Sequence, residues 1–242
     1  MRTTANWQLA AGLIVVAGFA GQAQSAKAGS PAANLNFTIH VHNYAGVDSK
    51  TMTDAEKAAS AIFQKAGVRS QWVDTPVTPE ALRQIAGDAP VFGLSHLQMY
   101  ILPRAMAERL GLPGNVAGVA PGTGLDRLKA YVFYNRVEDL ANTQTQAQLK
   151  NTISRHATTD QILGEVIAHE IGHILLNLDV HTERGIMRGS WDLSDLRDIA
   201  EGCLTFSKQQ AAVIQAEVAR RIRQQNASSS VVLAEVLLPT AP

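Results

Sequence analysis

Between Asp160 and Leu178 the chain is apolar on every side but one, and an element of that kind is stable only where other elements cover it. At about 100° per residue, Leu163, Ile167, Ile171, Ile174 and Leu178 fill one broad arc of a helix that begins near Asp160. His169 and His173, four positions apart, leave another edge only about 40° from each other. The segment therefore predicts a central helix that packs its apolar face against a sheet and turns a polar edge to a cleft. That edge reads His169-Glu170-Ile171-Gly172-His173, two imidazoles one turn apart that can meet a single ion, with a carboxylate beside them.

Composition narrows the chemistry. A single Cys in 242 residues closes no intramolecular disulfide and builds no sulfur-based metal site, so metal binding must rest on His and carboxylates. Equal numbers of basic and acidic residues, 21 of each, argue against a nucleic-acid binder, and 46% hydrophobic against 17% charged residues call for a real core. The length suits one good-sized domain or two small ones, and there is no internal repeat.

The amino terminus reads as a targeting segment. Arg2 is followed by an apolar run of roughly 12 residues from Leu9 to Ala20, short of the ~20 that span a bilayer, then by small residues that permit a cut after Ala23 or Ala28. Residues 1–28 are thus expected to be a cleaved signal peptide, giving a secreted or periplasmic product with no stable membrane anchor. Its loss removes Arg2 and Lys27 and leaves 19 basic residues against 21 acidic ones.

Phe37, Ile39 and Val41 alternate with polar residues and predict a strand; Thr53 and Glu56 form a capping-box pattern for a helix stopped at Gly67; Val68 to Val73 predicts a second strand. Strand, helix and strand in succession imply a parallel pair with a right-handed crossover. A short helical piece is expected around Glu80 to Ala86, a third strand over Leu97 to Leu102, and a helical turn from Pro103 to about Gly111. In the glycine-rich stretch from Gly111 to Gly124 no Gly-Lys-Ser/Thr follows the glycines as a phosphate loop requires, and Asn115 to Ala120 can form a short edge strand. Ala130 to Val137 predicts a strand, residues 139–158 a polar, partly helical connection. Leu193, Leu196 and Ile199 predict a short helix ended by Gly202, and Ser207 caps a longer one with Ile214, Val218 and Ile222 on one face. The whole is α/β (α+β): a twisted mixed sheet of four to five strands and the central helix over residues 34–225, closing with a small, mainly helical C-terminal subdomain, then a flexible tail over 226–242.

A catalytic zinc has three protein ligands and an open position, so His169 and His173 need a third partner. A thermolysin-like arrangement would take a carboxylate from a following helix, for which Glu201 stands at a suitable distance. A nearby His is the alternative. Here the chain resembles the metzincin clan of zinc metallopeptidases, in which a third His follows a glycine turn and a methionine turn lies beneath the metal. The matching residues are His169, Glu170, His173, His181 and Met187, and the run through Gly185-Ile186-Met187-Arg188 to Trp191 resembles a group of exported bacterial metzincin-like proteins. The usual spacing puts the turn glycine at 176 and the third His at 179, where this chain has Leu176 and Asp179. Asn177, which tolerates left-handed backbone, can end the helix and let the loop bring His181 to the metal. Asp179 is the alternative third ligand, because some secreted members of the clan use Asp there.

The resemblance implies zinc-dependent endopeptidase chemistry on a peptide or protein substrate, with Glu170 taking a proton from a zinc-activated water, Met187 as an apolar floor, and Asn115 to Ala120 as an edge that pairs with extended peptide. Some members carry a Tyr two residues after the Met; here it is Gly189. A non-catalytic zinc-binding module is the competing class, and intact Glu170 argues for activity. Outside this region, His40 and His42 share a strand face without a third partner, and His96 and His156 stand alone. Cys203 reads as a small buried residue, and Arg220, Arg221 and Arg223 as charges complementing a helix end.

Overall fold

The structure, a computed structural model, describes residues 34–78, 93–113, 116–122, 124, 127–149, 156–179 and 181–237. The signal-like segment, the helical piece expected around Glu80 to Ala86, and Asn115 lie outside the described residues. Strand β1 (Asn36–Asn43), helix α1 (Ser49–Lys65) and strand β2 (Arg69–Asp74) form the expected crossover unit, with β1 and β2 parallel. Helix α1 starts earlier than the Thr53 pattern indicates. Asp48 accepts from the backbone N–H groups of Lys50 and Thr51 at 3.1 and 3.0 Å, because the apolar stripe begins at Met52 and needs a turn of helix ahead of it. The other end stops at Gly67, whose φ of 82° lets the chain reverse into β2.

Strand β3 (His96–Leu102), helix α2 (Arg104–Arg109), the two-residue strand β4 (Gly118–Val119) and strand β5 (Lys129–Phe133) complete a mixed five-stranded sheet in the order β2-β1-β3-β5-β4. All neighbours are parallel except β4, which runs antiparallel along β5 at the edge. Strand β5 is shorter than the aromatic run Ala130 to Val137 predicts. Its last pair joins Phe133 to Leu102, and Pro103 follows with no N–H to extend the ladder, so Tyr134 turns into helix α3 (Tyr134–Leu149). Ile39, Val41, Leu97, Met99, Ile101 and Val132, aligned across three strands, form the inner face.

Helix α4 (Thr159–Leu176) lies against α1 and β5, and nearly every residue from Ile162 onward is buried. Gly164 lets the two helices touch: a Cβ there would stand 2.6 Å from the Ala55 carbonyl oxygen and 2.7 Å from the Ala58 methyl. The alanines of α1 are therefore contact residues of the central helix. Leu178, placed on the apolar arc by the helical wheel, is 50% exposed, because the helix ends at Leu176 and Asn177 caps it.

Helices α5 (Leu193–Ala200) and α6 (Lys208–Leu237) make the C-terminal part helical, and Leu196, Ile199, Ile214 and Val218 join the same core. Helix α6 continues beyond residue 226 to Leu237, so Arg221 sits within the helix rather than at its end. Its guanidinium is buried, donating to Glu217 at 2.7 Å and to the Leu94 carbonyl at 3.0 Å; it is a structural tie, not a dipole partner. Cys203, expected inside, is exposed, because it follows the end of α5 in a surface turn. His96 does not stand alone: its Nδ1 is 2.9 Å from His40 Nε2 on the outer face of the sheet. Among the described residues no helix is long and apolar enough to cross a membrane.

Glu165 of α4 is buried, and burial pushes its carboxyl up to about 8, against a smaller opposing effect of Lys65. Between pH 4.5 and 8 the folded chain therefore holds a proton that the unfolded chain has lost. Stability from this site is full below about 4.5 and falls as pH rises, by at most about 1.4 kcal/mol per unit. Glu165→Gln is expected to stabilise the protein more at pH 8 than at pH 5.5 in chemical denaturation of the metal-free chain. Parallel pH dependence in the two proteins would show that Glu165 ionises normally.

Candidate metal centre

Helix α4 delivers His169, Glu170 and His173 to one end of a cleft of about 580 Å³, each less than 9% exposed. Both imidazoles are oriented through Nδ1. That of His169 lies 2.6 Å from the Ile186 carbonyl oxygen, and that of His173 lies 2.7 Å from the Leu178 carbonyl oxygen. A carbonyl only accepts, so each Nδ1 carries its ring's proton and each Nε2 presents a lone pair. The two Nε2 atoms face each other at 3.1 Å. A hydrogen bond between them would need one ring to be doubly protonated. Burial opposes that, lowering His169 to about 4 and His173 below its ordinary value.

Two convergent lone pairs in a buried site fit a shared cation. Two nitrogens bound tetrahedrally at about 2.0–2.1 Å would stand roughly 3.3 Å apart, close to what is seen. His181 completes the set: one ring nitrogen from each of the three histidines lies within 4.8 Å of the others, the one such group of three among the described residues. Asn177 makes this possible. Its φ of 51° and ψ of 40° put it in the left-handed region, ending α4 where the glycine of the usual spacing is missing.

Glu170 points to the same place. Burial pushes its carboxyl up to about 8, opposed by the charge of Arg127, and Oε2 is buried with no hydrogen-bond partner. Strand β4 passes over it so closely that a Cβ on Gly118 would lie 2.6 Å from Glu170 Cγ and Oε1. Gly118→Ala is expected to displace the carboxylate, because the new methyl would stand where Glu170 Cγ and Oε1 now lie. A crystal structure of the variant reads this; an unmoved Glu170 carboxylate would mean that the strand does not hold it.

Met187 is 1% exposed, and a Cβ on Gly172 would come within 2.7 Å of its sulfur and 2.8 Å of Phe206. The glycine between the two helix histidines thus admits the methionine beneath them. Gly185 takes a φ of 77°, and hydrogen bonds from Arg188 N–H to Gly185 O and from Thr182 N–H to Met187 O close the turn. The turn also presents the Ile186 carbonyl to His169, a role invisible in a motif that names only the methionine. Gly189 packs on His181, where a Cβ would stand 2.9 Å from the ring, so a larger residue there would push this histidine aside.

The other candidates do not join this group, although Asp179 lines the same cleft. Asp179 pairs with Arg127 at 2.7 Å, and Glu201 is an exposed residue closing α5. His40 and His42 bond His96 and Gln98 and belong to no group of three among the described residues. Sequence reasoning missed Arg127, Leu140 and Val166, which line the cleft with Trp191. Only their positions on neighbouring elements mark them, since an isolated Arg or Leu carries no signal by itself.

No family model matches this chain, and no curated protein does. Among solved structures it is similar to a zinc-dependent peptidase from Methanocorpusculum labreanum, with 17% identity and a TM-score of 0.43 over 73% of this chain and 99% of that one.

Proposed function

We propose that the chain is an exported, metzincin-like zinc endopeptidase in which His169, His173 and His181 hold the metal and Glu170 is the general base. The observation that carries this reading is the pair of Nε2 lone pairs at 3.1 Å, each fixed by a carbonyl behind its ring, beside a buried carboxylate with an unpartnered oxygen. A bound zinc ion supplies Lewis acidity, which polarises a carbonyl oxygen and makes water acidic enough to lose a proton near neutral pH. Glu170 then has two tasks. It accepts a proton at Oε2 and returns it to the departing amine. Its burial suits both, because the proton exchange is kept out of bulk water.

Strand β4 offers backbone groups along the cleft, and an extended peptide laid there would add a strand to the sheet edge. Leu140, Val166 and Trp191 would receive an apolar side chain next to the scissile bond. The competing reading is a module that binds zinc without cleaving anything. Zinc analysis of the purified protein, combined with a peptide-library digest before and after chelation, separates the two. The expected result is one zinc per chain and hydrolysis that chelation abolishes and zinc restores; one zinc per chain with every peptide intact would sink the enzyme.

A further inference from the structure

We propose that Arg127 is the positioning residue of this centre: its guanidinium locks the edge strand and the loop between His173 and His181 into one unit. The inference rests on the metal-site reading above and adds a residue to it. Arg127 is 3% exposed. Its Nη2 donates to the Ala120 carbonyl beyond β4 and pairs with Asp179 at 2.7 Å, while Nη1 reaches the Leu178 carbonyl oxygen at 3.4 Å. That last oxygen is the one that accepts from His173 Nδ1. A carbonyl has two lone pairs, so imidazole and guanidinium can share it, and the cation fixes the acceptor that orients the ring. A second stitch runs beside the first, from the Gly124 N–H to Asn177 Oδ1 at 3.0 Å, onto the residue whose left-handed backbone ends α4.

The arrangement is expensive as mere packing. A buried guanidinium carries a large desolvation penalty, its Nε has no partner, and the paired Asp179 side chain is 70% exposed, where water screens the attraction. What it achieves is geometric. One planar fork reaches three acceptors on two segments, the strand over Glu170 and the loop leading to His181, a task that a lysine's single ammonium on a flexible stem cannot reproduce.

The test uses the full chain, stripped of metal, as wild type, Arg127→Lys and Arg127→Met, with zinc affinity from chelator competition and the visible spectrum of the cobalt-loaded proteins. Arg127→Lys decides, because it keeps the buried charge and so preserves the fold. Both variants are expected to bind zinc about 10–100-fold more weakly, the range for loss of an outer-shell partner, with altered cobalt bands and wild-type far-UV circular dichroism. A folded Arg127→Lys with wild-type zinc affinity and an unchanged cobalt spectrum overturns the proposal while leaving the metal site standing. A wild type that binds no zinc overturns both.

Discussion

Glu170→Gln is expected to lose hydrolysis by a factor on the order of 10²–10⁴, the range for removal of a general base, while still holding one zinc per chain. Glutamine matches the shape of glutamate, so the contact with Gly118 and the burial of the side chain persist; only the proton acceptor is lost. The proposed metal set is untouched because the group of three side chains that could hold an ion consists of histidines alone. The variant should also be the more stable protein at alkaline pH. The native carboxyl is raised to about 8, so the folded, metal-free chain resists ionisation between about 4.5 and 8 and loses stability across that window; the neutral amide does not. A protein more stable, fully metallated and inert separates chemistry from folding in one comparison. Full hydrolysis by Glu170→Gln would remove Glu170 from the mechanism, and loss of zinc would reassign it to the structure of the site.

Much of this site is readable in the chain, for reasons that differ by element. The central helix is legible because burial on nearly all sides leaves an unmistakable apolar pattern, and a spacing of four necessarily puts His169 and His173 together. The crossover of β1, α1 and β2 follows from strict alternation followed by a helix with a glycine stop. The end of α4 is subtler. Asn177 is readable only through its tolerance of left-handed backbone, and that one property decides whether the following loop can bring His181 to the helix histidines. The failures are tertiary. Aromatic and branched residues from Tyr131 to Tyr134 favour a strand, but the ladder ends where Pro103, just past the neighbouring strand, has no N–H to extend it, which no window on residues 130–137 reveals. Arg221 reads as a surface charge until Glu217 and the Leu94 carbonyl enclose it. His40 and His96 are 56 residues apart and meet only because β1 and β3 are neighbours.

His181→Ala is expected to weaken zinc binding well beyond the ~10–100-fold that attends loss of an outer-shell partner, whereas Asp179→Ala should stay within about tenfold and Glu201→Ala should match wild type. The distances account for the ranking. His181 already lies with the helix histidines, its ring centroid 5.3 Å from that of His169 and 5.0 Å from that of His173. Asp179 would first have to leave Arg127, with which it pairs at 2.7 Å and whose Nε already lacks a partner. Removing the Asp179 carboxylate instead leaves Arg127 its contacts with the Ala120 and Leu178 carbonyls, so His173 keeps its orientation and the loss stays small. Glu201 closes a different helix, is exposed, and is not in the group of three. Chelator competition on the three variants reads the order directly. Zinc retained by His181→Ala would refute the three-histidine set, and a larger loss in Asp179→Ala than in His181→Ala would move the third ligand two residues towards the helix.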